Sequence, residues 1–293
     1  MLHRHPVLRC APVLGALLCI ACASSAASTR PAMTGTARTR TATTRTATPR
    51  TVRASAQVVS VAVATTPPKP APRLPLAGKV VGVDPGHNGR NYADPSFINR
   101  LIWNGRERET CDTTGTSTDG GYTEARFNFD VARDLTRDLR DEGARVVLTR
   151  TTNDGVGPCV TTRAQILNRA RANVAIDIHA DGGPSGGRGF AILEPVADGP
   201  NNRVIGSSRR FGSDLRRVYR SVTGMPVSTY DGVDGIAYRD DLAGLNLTTV
   251  PKVLIECGNM RNAIDAGLLV RSSFQQRAAQ AFARAITQFE TGR

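Results

Sequence analysis

Two short apolar runs that each stop at a histidine constrain this chain more than any other feature. Val80-Val81-Gly82-Val83 leads into Asp84-Pro85-Gly86-His87-Asn88-Gly89, and Val174-Ala175-Ile176-Asp177-Ile178 leads into His179-Ala180-Asp181 with Gly182 and Gly183 behind it. Runs this short and rich in Val and Ile suit strands buried in a parallel sheet, and Pro85 and Gly86 force the first of them to turn. Ligand sites in open α/β sheets lie outside the carboxyl ends of such strands. If the two strands are parallel neighbours, both imidazoles project into one crevice, with Asp84 and Gly86 shaping the turn that aims His87.

The segments between and after them alternate between helix and strand. Thr123 reads as an N-cap, and Phe127, Val131, Leu135 and Leu139 recur every four residues up to a stop at Gly143, the spacing of one buried helix face. A strand is expected over 144–148 and a helix over 161–172 with Ala164, Ile166, Leu167 and Ala170 inward. Beyond the second histidine the pattern predicts a strand over 189–193, a basic amphipathic helix over 202–222 and a buried strand over 250–255 running into Glu256-Cys257-Gly258-Asn259. Two helices close the chain, near 261–270 and 273–290. This alternation predicts a single α/β domain over 79–293, built on a twisted, mostly parallel sheet with helices on both faces. The polar stretch 88–122 is expected to be a long loop acting as a lid or binding loop.

What precedes that domain differs in kind. Residues 1–27 join Arg4 and Arg9 to the apolar run 11–23 and end in small residues, the pattern of a secretory signal peptide rather than a membrane span. Cys22 resembles in part a lipoprotein cleavage site, with Cys19 where Leu is usual, which allows a lipid anchor. Residues 28–78 are rich in Thr, Ala, Arg and Pro and read as a disordered basic linker, too poor in large apolar groups to offset its ordering entropy. The formal net charge is +13, and ten of these charges belong to Arg4, Arg9 and eight basic residues of the linker, so the domain itself carries about +3. A cationic tether on an exported protein suits contact with an anionic envelope, with a solvated tether that has no specific partner as the alternative; nucleic-acid binding is the weaker reading, because the compartment is wrong and no aromatics interleave the charge. No segment after residue 27 is apolar enough to span a bilayer, so the product is expected to be secreted or held at the cell envelope, as a monomer.

Export also sorts the cysteines. Cys10, Cys19 and Cys22 fall in the leader, Cys111 and Cys159 lie in polar loops where they can pair, and Cys257 sits in a hydrophobic run as a small core residue.

The chain contains four histidines, of which His3 and His5 lie in the leader, leaving His87 and His179. Two histidines and a carboxylate are the usual protein ligands of catalytic zinc. Glu124, opening the helix after the first strand, is the natural third ligand. Glu256 also ends a buried strand, where a carboxylate must face water or a cation, and it is better placed to carry a proton than to ligate.

The motifs Asp84-Pro85-Gly86-His87, Glu124 at a helix start, Ile178-His179-Ala180-Asp181 and Val253-Leu254-Ile255-Glu256-Cys257-Gly258-Asn259, in this order, resemble the zinc-dependent N-acetylmuramoyl-L-alanine amidases of the amidase-3 family. The resemblance implies one zinc ion held by His87, Glu124 and His179, catalysis by Glu256, and peptidoglycan or muropeptides as substrate. It departs from many members at Asn88, where a second glycine is common, and at Cys257, where an aliphatic residue is usual. Arg90, Arg188 and Asn259 stand near strand ends and are read as solvated surface, with substrate contact as the alternative. Three other functions stay open at this point: an exported zinc peptidase acting within the stem peptide, a catalytically silent cell-wall-binding module, and a cysteine hydrolase built on Cys257.

Overall fold

A computed structural model describes residues 73 to 292, so the expected leader, the possible anchor at Cys22 and nearly all of the expected linker lie outside the described residues. Strand β1 (Val80–Pro85) is followed by a 3-10 turn at Asn91–Ala93, the short helix α1 (Pro95–Ile98) and an antiparallel hairpin of β2 (Leu101–Trp103) and β3 (Arg108–Thr110). Then come α2 (Glu124–Asp141), β4 (Arg145–Leu148), α3 (Val160–Ala170), β5 (Val174–Asp181), β6 (Ala191–Pro195) and α4 (Ile205–Thr223). The chain closes with β7 (Ile236–Arg239), α5 (Ala243–Asn246), β8 (Lys252–Asn259), α6 (Ala263–Leu269) and α7 (Ser272–Thr291).

Six strands form one sheet in the order β4-β1-β5-β8-β6-β7. All neighbours pair in parallel except β6 with β8, so the sheet is mostly parallel, as the alternating pattern predicts. Side chains alternate across it. Val81, Val83, Ile176, Ile178, Val253 and Ile255 point into the larger core beneath α2, α4 and α7. Their neighbours Ala175, Leu193 and Leu254 point to the opposite face, against Leu167 of α3 and Leu245 of α5. That second face is only partly covered, because α5 is a single turn. The uncovered part becomes a cleft.

Helix α2 forms where its sequence periodicity places it. The Thr123 hydroxyl accepts from the Arg126 amide at 3.3 Å, and such a cap stabilises a helix by about 1 kcal/mol. Phe127, Val131, Leu135 and Leu139 are fully buried on the sheet. At the other end Gly143 takes a left-handed φ of 93°, which glycine adopts without steric cost.

Two expectations need correction. The stretch 88–122 is not a structureless loop, since it contains the 3-10 turn, α1 and the β2–β3 hairpin. Asn104-Gly105 is its overlooked signal: the Asn104 side chain accepts from the Arg106 and Glu107 amides at 2.9 and 2.8 Å, and Gly105 supplies the positive φ, 108°, that such turns require. The packed body also starts earlier than residue 79. Leu76 is fully buried in the larger core and its amide donates to Glu142 O at 2.9 Å, so the last residues of the expected linker belong to the domain. The short strand β7 and helix α5 carry no periodicity of their own and were not expected.

Cys111 and Cys159 are joined, their Cα atoms 4.9 Å apart across a sequence separation of 48. The bridge ties the strand end of β3 to the start of α3, beside the cleft. Closing a loop of this length stabilises a fold by about 4 kcal/mol in the chain-entropy model. Replacing both cysteines by serine is expected to lower the urea midpoint by the equivalent of a few kcal/mol; an unchanged midpoint would show that the loop is held by packing alone.

Candidate metal centre

The strand register sets the site. Pro85 of β1 pairs with Ile178 of β5, and the Gly86 amide continues the ladder to Ile178 O at 3.0 Å. His87 and His179 therefore leave adjacent strands at the same level. His87 adopts a left-handed φ of 55°, a conformation that costs a non-glycine residue of order 1 kcal/mol and is retained where surroundings demand it. The imidazole rings meet edge to face with centroids 4.8 Å apart.

Room for this approach comes from Gly86. A Cβ built there would lie 2.2 Å from the Cε1 and Nε2 atoms of His179, so the histidine ring rests directly on the glycine backbone. Gly86→Ala is accordingly expected to push the ring aside and weaken zinc binding at least tenfold while the protein stays folded. Zinc retained at wild-type stoichiometry after dialysis against a chelator would refute this.

Glu124, the first residue of α2, closes the third side. Its Oε1 lies 2.8 Å from His179 Nδ1 and 3.3 Å from His87 Nε2, and its Oε2 accepts from the Thr116 amide at 3.0 Å. One donor atom from each of the three residues lies within 4.8 Å of the others. Two imidazole nitrogens and a carboxylate converging from three elements, open on the cleft side, match a catalytic zinc site with a position left for water. The outer ring nitrogens support the fit, since His87 Nδ1 faces Asp112 Oδ1 at 3.2 Å and His179 Nε2 faces Asp177 Oδ1 at 3.3 Å. Carboxylates placed there orient metal-binding histidines.

The electrostatics favour positive charge at this point. Burial alone would lower both imidazole pKa values, yet Glu124 and Asp112 push His87 up to about 9 and Asp177 and Glu124 raise His179 well above its usual value. Burial alone would raise Glu124, and the two imidazoles instead hold it well below the carboxylate range.

Glu256 stands beside this group rather than in it. Its Cα pairs with that of His179 across β5 and β8, so both side chains leave the sheet on the cleft face. Its Oε2 is buried without a hydrogen-bond partner, and burial, reinforced by Glu124 and Asp181 against the opposing pull of His179, pushes its carboxyl up to about 8. The next residue turns the other way, as alternation requires: Cys257 is unpaired and fully buried in the larger core, and burial pushes its thiol well up. A cysteine nucleophile is thereby excluded.

A cleft of about 500 Å³ joins the three donors and Glu256 to an apolar floor of Leu193, Leu245 and Leu254, with Glu109 and Thr110 of the hairpin and Arg239 of β7 on its walls. Arg90 is exposed and outside this lining. Asn259 is not surface, as expected from sequence, but fully buried, its amide donating to Pro184 O and Gly187 O at 2.8 Å each. Arg188 pairs with buried Asp265 at 3.0 Å. Sequence reasoning missed Asp112, Asp177, Arg163 and Lys252 around the histidines; the available signal was a charged residue inside each of the apolar runs Val174–Ile178 and Val250–Ile255.

Among known proteins, the N-acetylmuramoyl-L-alanine amidase family model, Amidase_3, matches residues 81–288. An N-acetylmuramoyl-L-alanine amidase of Mycobacterium tuberculosis, Rv3717, is 38% identical over 240 residues, covering 81% of this chain and 94% of that protein. The crystal structure of the N-acetylmuramyl-L-alanine amidase Ami1 from Mycobacterium smegmatis superposes with a TM-score of 0.70 at 38% identity, covering 74% of this chain and 99% of that one. The catalytic domain of CwlV from Bacillus (Paenibacillus) polymyxa shares the fold, with a TM-score of 0.54 at 24% identity over 72% of this chain and 97% of its own. With the family match spanning the whole sheet and the donor cluster formed within it, the chain belongs to the amidase-3 family of N-acetylmuramoyl-L-alanine amidases.

Proposed function

We propose that this protein hydrolyses the amide joining N-acetylmuramic acid to the L-alanine of the stem peptide in peptidoglycan, with one zinc ion held by His87, Glu124 and His179 and with Glu256 as the proton carrier. The observation that carries the reading is the buried, partnerless Oε2 of Glu256 one strand away from the three-donor cluster, on the open face of the sheet. A carboxylate in that position costs free energy unless the site supplies a proton donor during work.

Zinc bound by such a donor set supplies Lewis acidity, polarising the scissile carbonyl and acidifying water. Glu256 takes a proton from the attacking water as its oxygen adds to the carbonyl carbon. As the carbon–nitrogen bond breaks, the same carboxyl returns that proton to the departing nitrogen, giving a free amine on L-alanine and a carboxylic acid on the lactyl group, which then loses the water's second proton to solvent. A pKa displaced towards neutrality suits a group that must both accept and donate. Leu193, Leu245 and Leu254 provide an apolar surface for the peptide side of the substrate.

Substrate of this kind lies outside the cytoplasmic membrane, which agrees with the exported, envelope-facing localisation expected from residues 1–27. Among the described residues no helix is long and apolar enough to cross a membrane. Mass spectrometry of digested sacculi tests the reading. Free stem peptides with an amino-terminal L-alanine, together with intact muramic acid, are expected, and the activity should vanish on chelation and return with zinc. Release of single amino acids or of fragments cut inside the stem would overturn it in favour of a peptidase.

A further inference from the structure

Behind the two histidines runs an unbroken chain of buried charges. His87 Nδ1 lies 3.2 Å from Asp112 Oδ1, and the other oxygen of Asp112 accepts from Arg163 Nη2 at 3.4 Å. Arg163 Nη1 donates to Asp84 Oδ1 at 3.0 Å, and Asp84 Oδ2 accepts from Lys252 Nζ at 2.7 Å. Lys252 Nζ also lies 2.9 Å from Asp177 Oδ2, and Asp177 Oδ1 faces His179 Nε2 at 3.3 Å. Arg163, Asp84 and Lys252 are each no more than 2% exposed. The chain thus starts on the outer nitrogen of one proposed metal ligand and ends on the outer nitrogen of the other.

Such an arrangement is hard to explain as a device for stability. Moving two cations and three carboxylates out of water is costly, and apolar side chains of similar volume commonly stabilise a core as well or better. The geometry instead specifies proton positions. Lys252 Nζ holds the Oδ2 atoms of both Asp84 and Asp177, while Asp177 Oδ1 is buried without a hydrogen-bond partner next to the His179 ring. A carboxylate oxygen can only accept, so it favours the His179 tautomer with hydrogen on Nε2 and a free lone pair on Nδ1, the nitrogen that faces Glu124.

Resting on the metal-site reading above, we propose that Lys252 is a positioning residue for the metal centre: by anchoring Asp177 it fixes the tautomer and orientation of His179, as Arg163 does for His87 through Asp112. Lys252 performs this from the strand that carries Glu256, four residues earlier on the same face.

The test compares wild-type full-length protein with Lys252→Met and Asp177→Asn. Zinc affinity is measured by competition with a chromophoric chelator, and the imidazole tautomer of His179 is read from its 15N chemical shifts in metal-free protein, at alkaline pH where the ring is neutral. Asp177→Asn is isosteric, but its amide nitrogen donates where the carboxylate accepted, so it should invert the His179 tautomer. Both variants are expected to bind zinc about 10- to 100-fold more weakly. Should Lys252→Met fail to fold, Asp177→Asn decides alone. Unchanged affinity together with an unchanged tautomer in Asp177→Asn would overturn the positioning role while leaving the metal site standing; absence of zinc binding by the wild-type protein would overturn the metal site and the proposal with it.

Discussion

Glu256→Gln is expected to reduce turnover by about two to four orders of magnitude, the usual contribution of a positioned general acid–base group, while zinc affinity stays at the wild-type level. Glutamine preserves the size of the side chain and its place opposite His179, but its amide can neither accept the water proton nor return it to the leaving nitrogen. The separation of the two effects follows from the geometry, since Glu256 is outside the cluster of His87, Glu124 and His179 donor atoms. Cys257→Ser is the matched control. Its side chain points into the opposite core, so it should retain activity. The mechanism falls if Glu256→Gln turns over at a near-normal rate or loses its zinc, or if Cys257→Ser is the inactive variant.

Arg163→Met is expected to destabilise the protein by about 3 to 5 kcal/mol, the cost of removing one member of a buried ion pair and leaving its partners uncompensated. Arg163 is 2% exposed, and its guanidinium serves Asp84, Asp112 and the carbonyl oxygens of Pro85, His87 and Pro158. Against a total stability of about 5 to 15 kcal/mol for ordinary domains, this is a large fraction. The variant, less stable at neutral pH, should also lose less further stability on acidification than the wild type. Burial alone would raise the Asp84 carboxyl, but Lys252 and Arg163 hold it far below its unfolded value. A depressed carboxylate contributes stability that is complete above its unfolded pKa of about 4 and is lost as pH falls towards its folded pKa. Removing Arg163 moves the folded value back up, which shrinks that contribution. Urea midpoints at neutral pH and melting temperatures between about pH 2 and pH 6 check both parts. A loss below about 1 kcal/mol would show that Lys252 alone satisfies Asp84.

Much of the site was legible because its signals are local. A strand that ends in Pro-Gly-His, a helix that opens on Thr-Glu and a histidine at the tip of Val174–Ile178 are each written in a few adjacent residues, and strand alternation separates Glu256 from Cys257 without knowledge of the fold. The hairpin at Asn104-Gly105 was equally local and was hidden only by the polarity around it. Helix α5 and strand β7 are another matter. They are too short for periodicity to register and form because the sheet edge and the hairpin pack against them.

The sequence by itself determined the α/β pattern, the four residues of the proposed centre and the family to which they point, since turn chemistry, capping and period-two burial act between near neighbours in the chain. Tertiary structure alone decided that β1, β5 and β8 lie side by side, which brings His87, His179 and Glu256 to one open face. It also decided what stands behind them. Asp84 meets Arg163 across 79 residues and Lys252 across 168, and the energy of a buried charge depends on its distance in space from a partner, a quantity that no local pattern in the sequence records.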